Sequence, residues 1–313
     1  MKIAFVGDSY CMHAGPGTPE GEDKELAFEI AKKYNITFSG PPVDPEYDWP
    51  HLVTQHFQAH RFCGGIAGIN FFHSYEYYLN NSQKDEDIVI FCVTEPLRVI
   101  NKHKLPINKA WLDEIYRQTN MGKFMLEYTA KCANLVDKTS TKTFTNEELL
   151  QIVGFTKHYR ENIMDSCASV VMQHAFLKLV DEQMLSKGQR CIWFNSFFES
   201  NQSWPGWIGP FSPLSGPIGN RSLFSITESI QDKATFTGPR YDVNERNHFT
   251  QEQNIQMSKM VIDIIETDNF VPGPINMENW FHLKEKEPTQ DIFYDDIKKS
   301  HDLLSKEDDF IYP

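Results

Sequence analysis

Positive charge is scarce in this sequence: 30 lysines and arginines stand against 43 aspartates and glutamates, a formal net charge of −13. An acidic surface repels phosphate backbones, which argues against a nucleic-acid partner held by bulk electrostatics. Long apolar runs are missing too. No stretch reaches the roughly 18 residues that mark a membrane-spanning helix, so no membrane span is expected. A strand-like run begins at Lys2, so no secretory leader is expected and the cytoplasm is the expected location. The six cysteines, at 11, 63, 92, 132, 167 and 191, form no CxxC pair, which argues against a zinc knuckle or a thioredoxin-type redox site. Cys63, Cys92 and Cys191 lie in apolar runs, where a cysteine reads as a small buried hydrophobe with a free thiol in a reducing compartment. No GxxxxGK[ST] loop, GxGxxG turn, HExxH helix or His/Cys cluster is present, so neither a cofactor nor a metal is expected.

What is present is a chain with apolar residues enough for a sizeable core, 40% of 313. Its length alone allows one domain or two. Lys2–Val6 reads as a buried strand ending at Gly7. Trp49-Pro50 opens a helix through Phe57, with proline in the first turn, where its missing N–H costs nothing. Arg61–Asn70 reads as a strand running into a glycine-rich turn; Asp87–Thr94 and Arg190–Phe198 are further buried strands. Glu22–Tyr34, Leu105–Thr119 and Asn146–Leu185 have helical spacing, the last as one long helix or two joined ones. Thr250–Thr267 is amphipathic, with Met257, Met260, Val261, Ile264 and Ile265 on one face and Thr250 with Gln253 fitting a capping box. Strands separated by helical segments, without repeats, predict an α/β fold: a three-layer sandwich around a central, mostly parallel sheet.

In such a sheet, functional groups gather beyond the carboxyl ends of the strands. The first strand ends in Gly7-Asp8-Ser9, where glycine permits a tight turn and serine can face a cleft; equally, Asp8 and Ser9 can cap a following helix. A serine nucleophile needs a base. Of the eleven histidines, His248 stands out, directly before the last amphipathic helix and three residues after Glu245, which can orient its imidazole. A solvated acid beside a helix-entry histidine is the plainer alternative. Oxyanion donors are found in Gly64, Gly65 and Gly68 after the second strand, in the side chain of Asn70, and in Thr94 at the end of the third. Each also reads as ordinary turn or strand-end chemistry.

Taken together, these blocks resemble the SGNH (GDSL-type) serine hydrolase superfamily, in a variant similar to those found in bacteriophage genomes. The first block looks like Gly7-Asp8-Ser9, the second like the segment holding Gly68, and the last, Asp-x-x-His in the family, reads Glu245-Arg246-Asn247-His248 here. The third block departs. Where the family has Gly-x-Asn-Asp, this chain has Val93-Thr94-Glu95-Pro96. The resemblance implies a flavodoxin-like α/β fold and a catalytic set of Ser9, His248 and Glu245, with Asp242 as an alternative acid. It also implies an oxyanion hole from Ser9 and Gly68, with Thr94 or Asn70 in place of the absent asparagine. The implied substrate is a small-molecule or carbohydrate ester, an O-acetylated sugar first among them. The alternative is a protein of the same fold that binds or assembles without turnover.

Because Ser9 and His248 must meet for this chemistry, residues 1–282 are expected to form one domain with a helical insertion at about 100–186. Residues 283–313, with nine acidic and five basic residues, read as an acidic tail. The Glu199–Pro217 loop carries Trp204, Trp207 and Phe211, which suit either sugar stacking or structural packing.

Overall fold

Strands that are apolar without alternation must be covered on both faces, and the sheet of this protein is built that way. The structure, a computed structural model, describes residues 1–11, 29–36, 45–65, 69–94, 98–100, 105, 115, 119–136, 144–196, 223, 249 and 251–267. Four strands, β1 (Lys2–Gly7), β2 (His60–Gly65), β3 (Ile88–Val93) and β4 (Arg190–Asn195), form one sheet in the order β2-β1-β3-β4. All three pairings are parallel, with Phe5 opposite Cys63 on one side and Ile90 on the other, and Phe91 opposite Trp193. The chain is thus an α/β protein. The connection from β1 leads to one side and that from β2 crosses to the other, which makes the carboxyl end of β1 and β3 the topological switch point.

Alternate residues of each strand feed two cores. On one face, Ile3, Phe5, Ile90, Cys92, Ile192 and Phe194 pack against α1 (Trp49–His56) and α6 (Gln251–Glu266). On the other, Ala4, Val6, Val89, Phe91, Cys191 and Trp193 pack against α2 (Phe71–Asn81) and α5 (Ser166–Ser186). The predicted stripe of α6 is the buried one: Met257, Met260 and Val261 are fully buried, and Ile264 and Ile265 nearly so. Each such side chain contributes about 2 kcal/mol. On the α2/α5 face, Phe91 stacks on Trp193 with centroids 4.1 Å apart, and Phe71 meets both edge-on or tilted.

A third core of different residues joins α3 (Asn120–Val136) and α4 (Asn146–Asn162) to the helical residues 29–33, through Ile30, Ala31, Phe124, Met125, Leu149 and Val153. Lys33 and the Tyr34 hydroxyl both bond Glu127, at 2.6 and 2.7 Å. A Thr145–Glu148 capping box starts α4. The apolar run from residue 146 to 185 is two helices because Asp165 accepts from the Ala168 N–H at 3.0 Å and restarts the chain as α5. Helix α2 was not expected from the sequence. Its Phe71, Tyr75 and Tyr78 have helical spacing, but the strand and glycine-rich turn read over Arg61–Asn70 were followed by no assignment. Most of the expected helix Leu105–Thr119, and Thr250 of the expected capping box, lie outside the described residues. No helix among the described residues is long and apolar enough to cross a membrane.

Gly7 is the tightest point of the sheet. Its φ is 153°, and a Cβ there would lie 2.1 Å from the backbone oxygen of Cys92. No rotamer relieves a clash with backbone. Gly7→Ala is therefore expected to destabilise the protein by about 3 kcal/mol or more, read as a lower urea midpoint at unchanged slope.

Candidate active site

The turn that leaves β1 is shaped by Asp8. Its carboxylate Oδ1 accepts from the Tyr10 N–H at 3.0 Å and its carbonyl from the Cys11 N–H at 3.2 Å, closing a single 3-10 turn over Ser9–Cys11. Asp8 is fully buried. Capping is thus real at this position and belongs to Asp8, while Ser9 is the first residue of the turn, at the switch point. Helix α2 supports the turn from beneath, since the Ser74 hydroxyl donates to the Gly7 carbonyl at 2.7 Å.

The turn is also tied to the start of α6, some 240 residues later in the chain. The Trp49 indole N–H donates to the Tyr10 carbonyl at 2.7 Å. The Trp49 backbone N–H donates to Asn254 Oδ1 at 3.1 Å, and Asn254 Nδ2 donates to the Phe249 carbonyl at 3.2 Å. Phe249 closes the ring of contacts by meeting Tyr10 edge-on, with centroids 5.3 Å apart. Residue 249 follows His248 and residue 10 follows Ser9, so the positions next to the two expected catalytic residues touch. His248, Glu245, Asp242 and Gly68 themselves lie outside the described residues.

Asn70 and Thr94 are both buried, at 4% and 1% exposure, but their surroundings differ. Asn70 is the N-cap of α2: its oxygen accepts from the His73 N–H at 3.0 Å and its Nδ2 donates to the Val99 carbonyl at 3.4 Å. Arg98 secures the same corner through the Ile69 carbonyl at 3.0 Å. Thr94 follows β3 beside the switch point. Its carbonyl accepts from Gln173 Nε2 of α5 at 2.8 Å, and its hydroxyl has no hydrogen-bond partner among the described residues.

Three residues of this region were not singled out from the sequence. Trp49 was read as the opening of a helix similar to one in the phage-type family variant, with no site role, although a tryptophan in a first turn has an N–H to satisfy. Asn254 carries a signal in retrospect, as a polar residue one turn ahead of Ser258 on the buried stripe of α6. Ser196, one residue past β4, is fully buried, and its hydroxyl likewise has no hydrogen-bond partner among the described residues.

The thiols beneath the turn are shielded. Burial, a hydrogen bond with Cys92 and the charge of Asp8 raise Cys11 well above its ordinary value, and burial raises Cys92 and Cys191 as well. Cys11, Cys92 and Cys191 carry free thiols. Among the described residues, no group of three His, Cys, Asp or Glu side chains is arranged to hold a metal ion. No protein-family model, curated protein or solved structure matches the chain.

Two outcomes are expected. Asn254→Ala leaves the Trp49 N–H and the Phe249 carbonyl without their shared partner and costs about 1–3 kcal/mol, measurable by urea unfolding. Stability also falls as pH rises above about 9, because the unfolded chain then ionises thiols that the folded chain keeps protonated; below that range the thiols are neutral in both states. Unfolding at pH 8 and pH 10 checks the sign, and the drop is smaller in Cys92→Ala, which has one thiol fewer to ionise.

Proposed function

We propose that this protein is a serine ester hydrolase of the SGNH type. Ser9 attacks the ester carbonyl while His248, oriented by Glu245, takes its proton. The imidazolium then protonates the departing alcohol, and water, activated by the same histidine, releases the acid from the acyl-enzyme. The N–H groups of Ser9 and Gly68 hold the oxyanion. The observation that carries this reading is the contact of Phe249 with Tyr10, fixed by Trp49 and Asn254, because these are the residues that follow His248 and Ser9 in the sequence. The strand order, which is that of flavodoxin-like sheets, and the place of Ser9 at the switch point support it as well. Carbohydrate O-acetyl esters are the favoured substrate, being uncharged and so compatible with an acidic protein.

One observation favours a second reading, a binding or assembly protein without turnover. The side chain of Asn70 is engaged at both its oxygen and its nitrogen, so it does not straightforwardly replace the family's third-block asparagine.

A fluorophosphonate probe separates the two. Labelling at Ser9, lost in Ser9→Ala, is expected, together with hydrolysis of p-nitrophenyl acetate that falls at least about 1,000-fold in Ser9→Ala and in His248→Ala. Comparing Glu245→Gln with Asp242→Asn identifies the acid. Absence of both labelling and hydrolysis in the wild type sinks the esterase reading.

A further inference from the structure

Thr94 and Ser196 each stand one residue past the end of neighbouring strands. Val93 and Asn195 are register partners, and the Ser196 N–H extends the ladder by donating to the Val93 carbonyl at 2.8 Å. The two residues are therefore adjacent at the carboxyl edge of the sheet, on the strand next to β1 and the strand beyond it. Both are buried, at 1% and 0% exposure, and neither hydroxyl has a hydrogen-bond partner among the described residues. Backbone groups at the same edge are satisfied: the Thr94 carbonyl takes Gln173, and the Ser196 N–H takes Val93. A buried hydroxyl left unpaired lowers stability, and nearly all such groups in folded proteins have partners. Two of them side by side, at the edge where parallel sheets bind ligands, point to a partner that arrives with the ligand.

We propose that the Thr94 and Ser196 hydroxyls form a paired subsite for an uncharged, oxygen-bearing part of the substrate, with Ser196 as a substrate-positioning residue at the end of β4. A hydroxyl both donates and accepts, so the pair suits a carbonyl or sugar hydroxyl, which needs no compensating charge. The buried Asp8 carboxyl at the neighbouring strand end adds a second reason for an uncharged ligand, since its charge opposes ionisation of both Cys11 and Cys92 and would equally oppose an anion. The assignment to an ester substrate rests on the hydrolase reading above; the existence of a subsite does not.

Thr94→Val and Ser196→Ala test it, alone and together, with two independent readouts. Removing an unpaired hydroxyl leaves the melting temperature unchanged or raises it by about 2 °C, whereas removing one bonded to a structural water or a protein group lowers it. Alongside this, each variant is expected to lower kcat/KM for p-nitrophenyl acetate about tenfold, mainly through KM. A melting temperature several degrees lower overturns the proposal whatever the activity, and so does an unchanged kcat/KM at unchanged stability. If the wild type hydrolyses nothing, the hydrolase reading has failed and the subsite is judged by saturation-transfer NMR with N-acetylglucosamine, with inorganic phosphate as the anionic control. Binding of the sugar by the wild type that is lost in the double variant supports the subsite. Absence of sugar binding, equal binding in both proteins, or a preference for phosphate overturns it.

Discussion

The described structure turns on one side chain that holds two distant parts of the sequence together, Trp49. Its indole N–H fixes the turn after β1 through the Tyr10 carbonyl, and its backbone N–H takes the amide oxygen of Asn254 at the start of α6. The ring itself is nearly fully buried, meeting Phe5 at 5.2 Å and Phe194 at 6.4 Å. In this way a first-turn residue of α1 joins the sheet, the serine-bearing turn and the last described helix in one packed unit. Because the bonds are buried, breaking one leaves a donor or acceptor with no water to replace it, which makes the arrangement specific as well as stable.

The second constraint is the approach of β1 to β3. With no Cβ at residue 7, the two backbones close to a distance that any other residue would forbid, and the chain then turns through Asp8 into Ser9. The Ser74 hydroxyl, reaching up from α2 to the Gly7 carbonyl, holds the same point from the opposite face. The backbone at residue 9 is thus held from two directions, by the Asp8 turn and by α2. The ends of β3 and β4 carry the opposite kind of feature, buried hydroxyls without a hydrogen-bond partner among the described residues. Their adjacency at the carboxyl edge of the sheet is what the proposed subsite rests on.

Much of the fold was legible in the sequence, for definite reasons. The strands Lys2–Gly7, Ile88–Val93 and Arg190–Asn195 are short apolar runs bounded by polar or glycine residues, and the stripe of α6 repeats at helical spacing. Helix α2 was not legible, because aromatic residues serve strands and helices alike and its cap, Asn70, resembles any turn asparagine. The break between α4 and α5 depends on one side-chain hydrogen bond from Asp165, which periodicity does not register. Ser9 and Thr94 were singled out because strand ends are visible in sequence. Trp49, Asn254 and Ser196 were missed because their importance lies in what they touch or fail to touch.

The sequence by itself determined the α/β class and which strands are buried, since local apolar pattern and glycine placement are properties of neighbouring residues. Its acidic balance likewise weighed against phosphate-backbone partners without reference to any contact. The tertiary structure alone decided the strand order β2-β1-β3-β4, the identity of Asp8 as the cap of the serine turn, and the meeting of Tyr10 with Phe249. Those depend on pairings between residues far apart in the chain, whose contact energies appear only when the sheet and both of its helical layers are assembled.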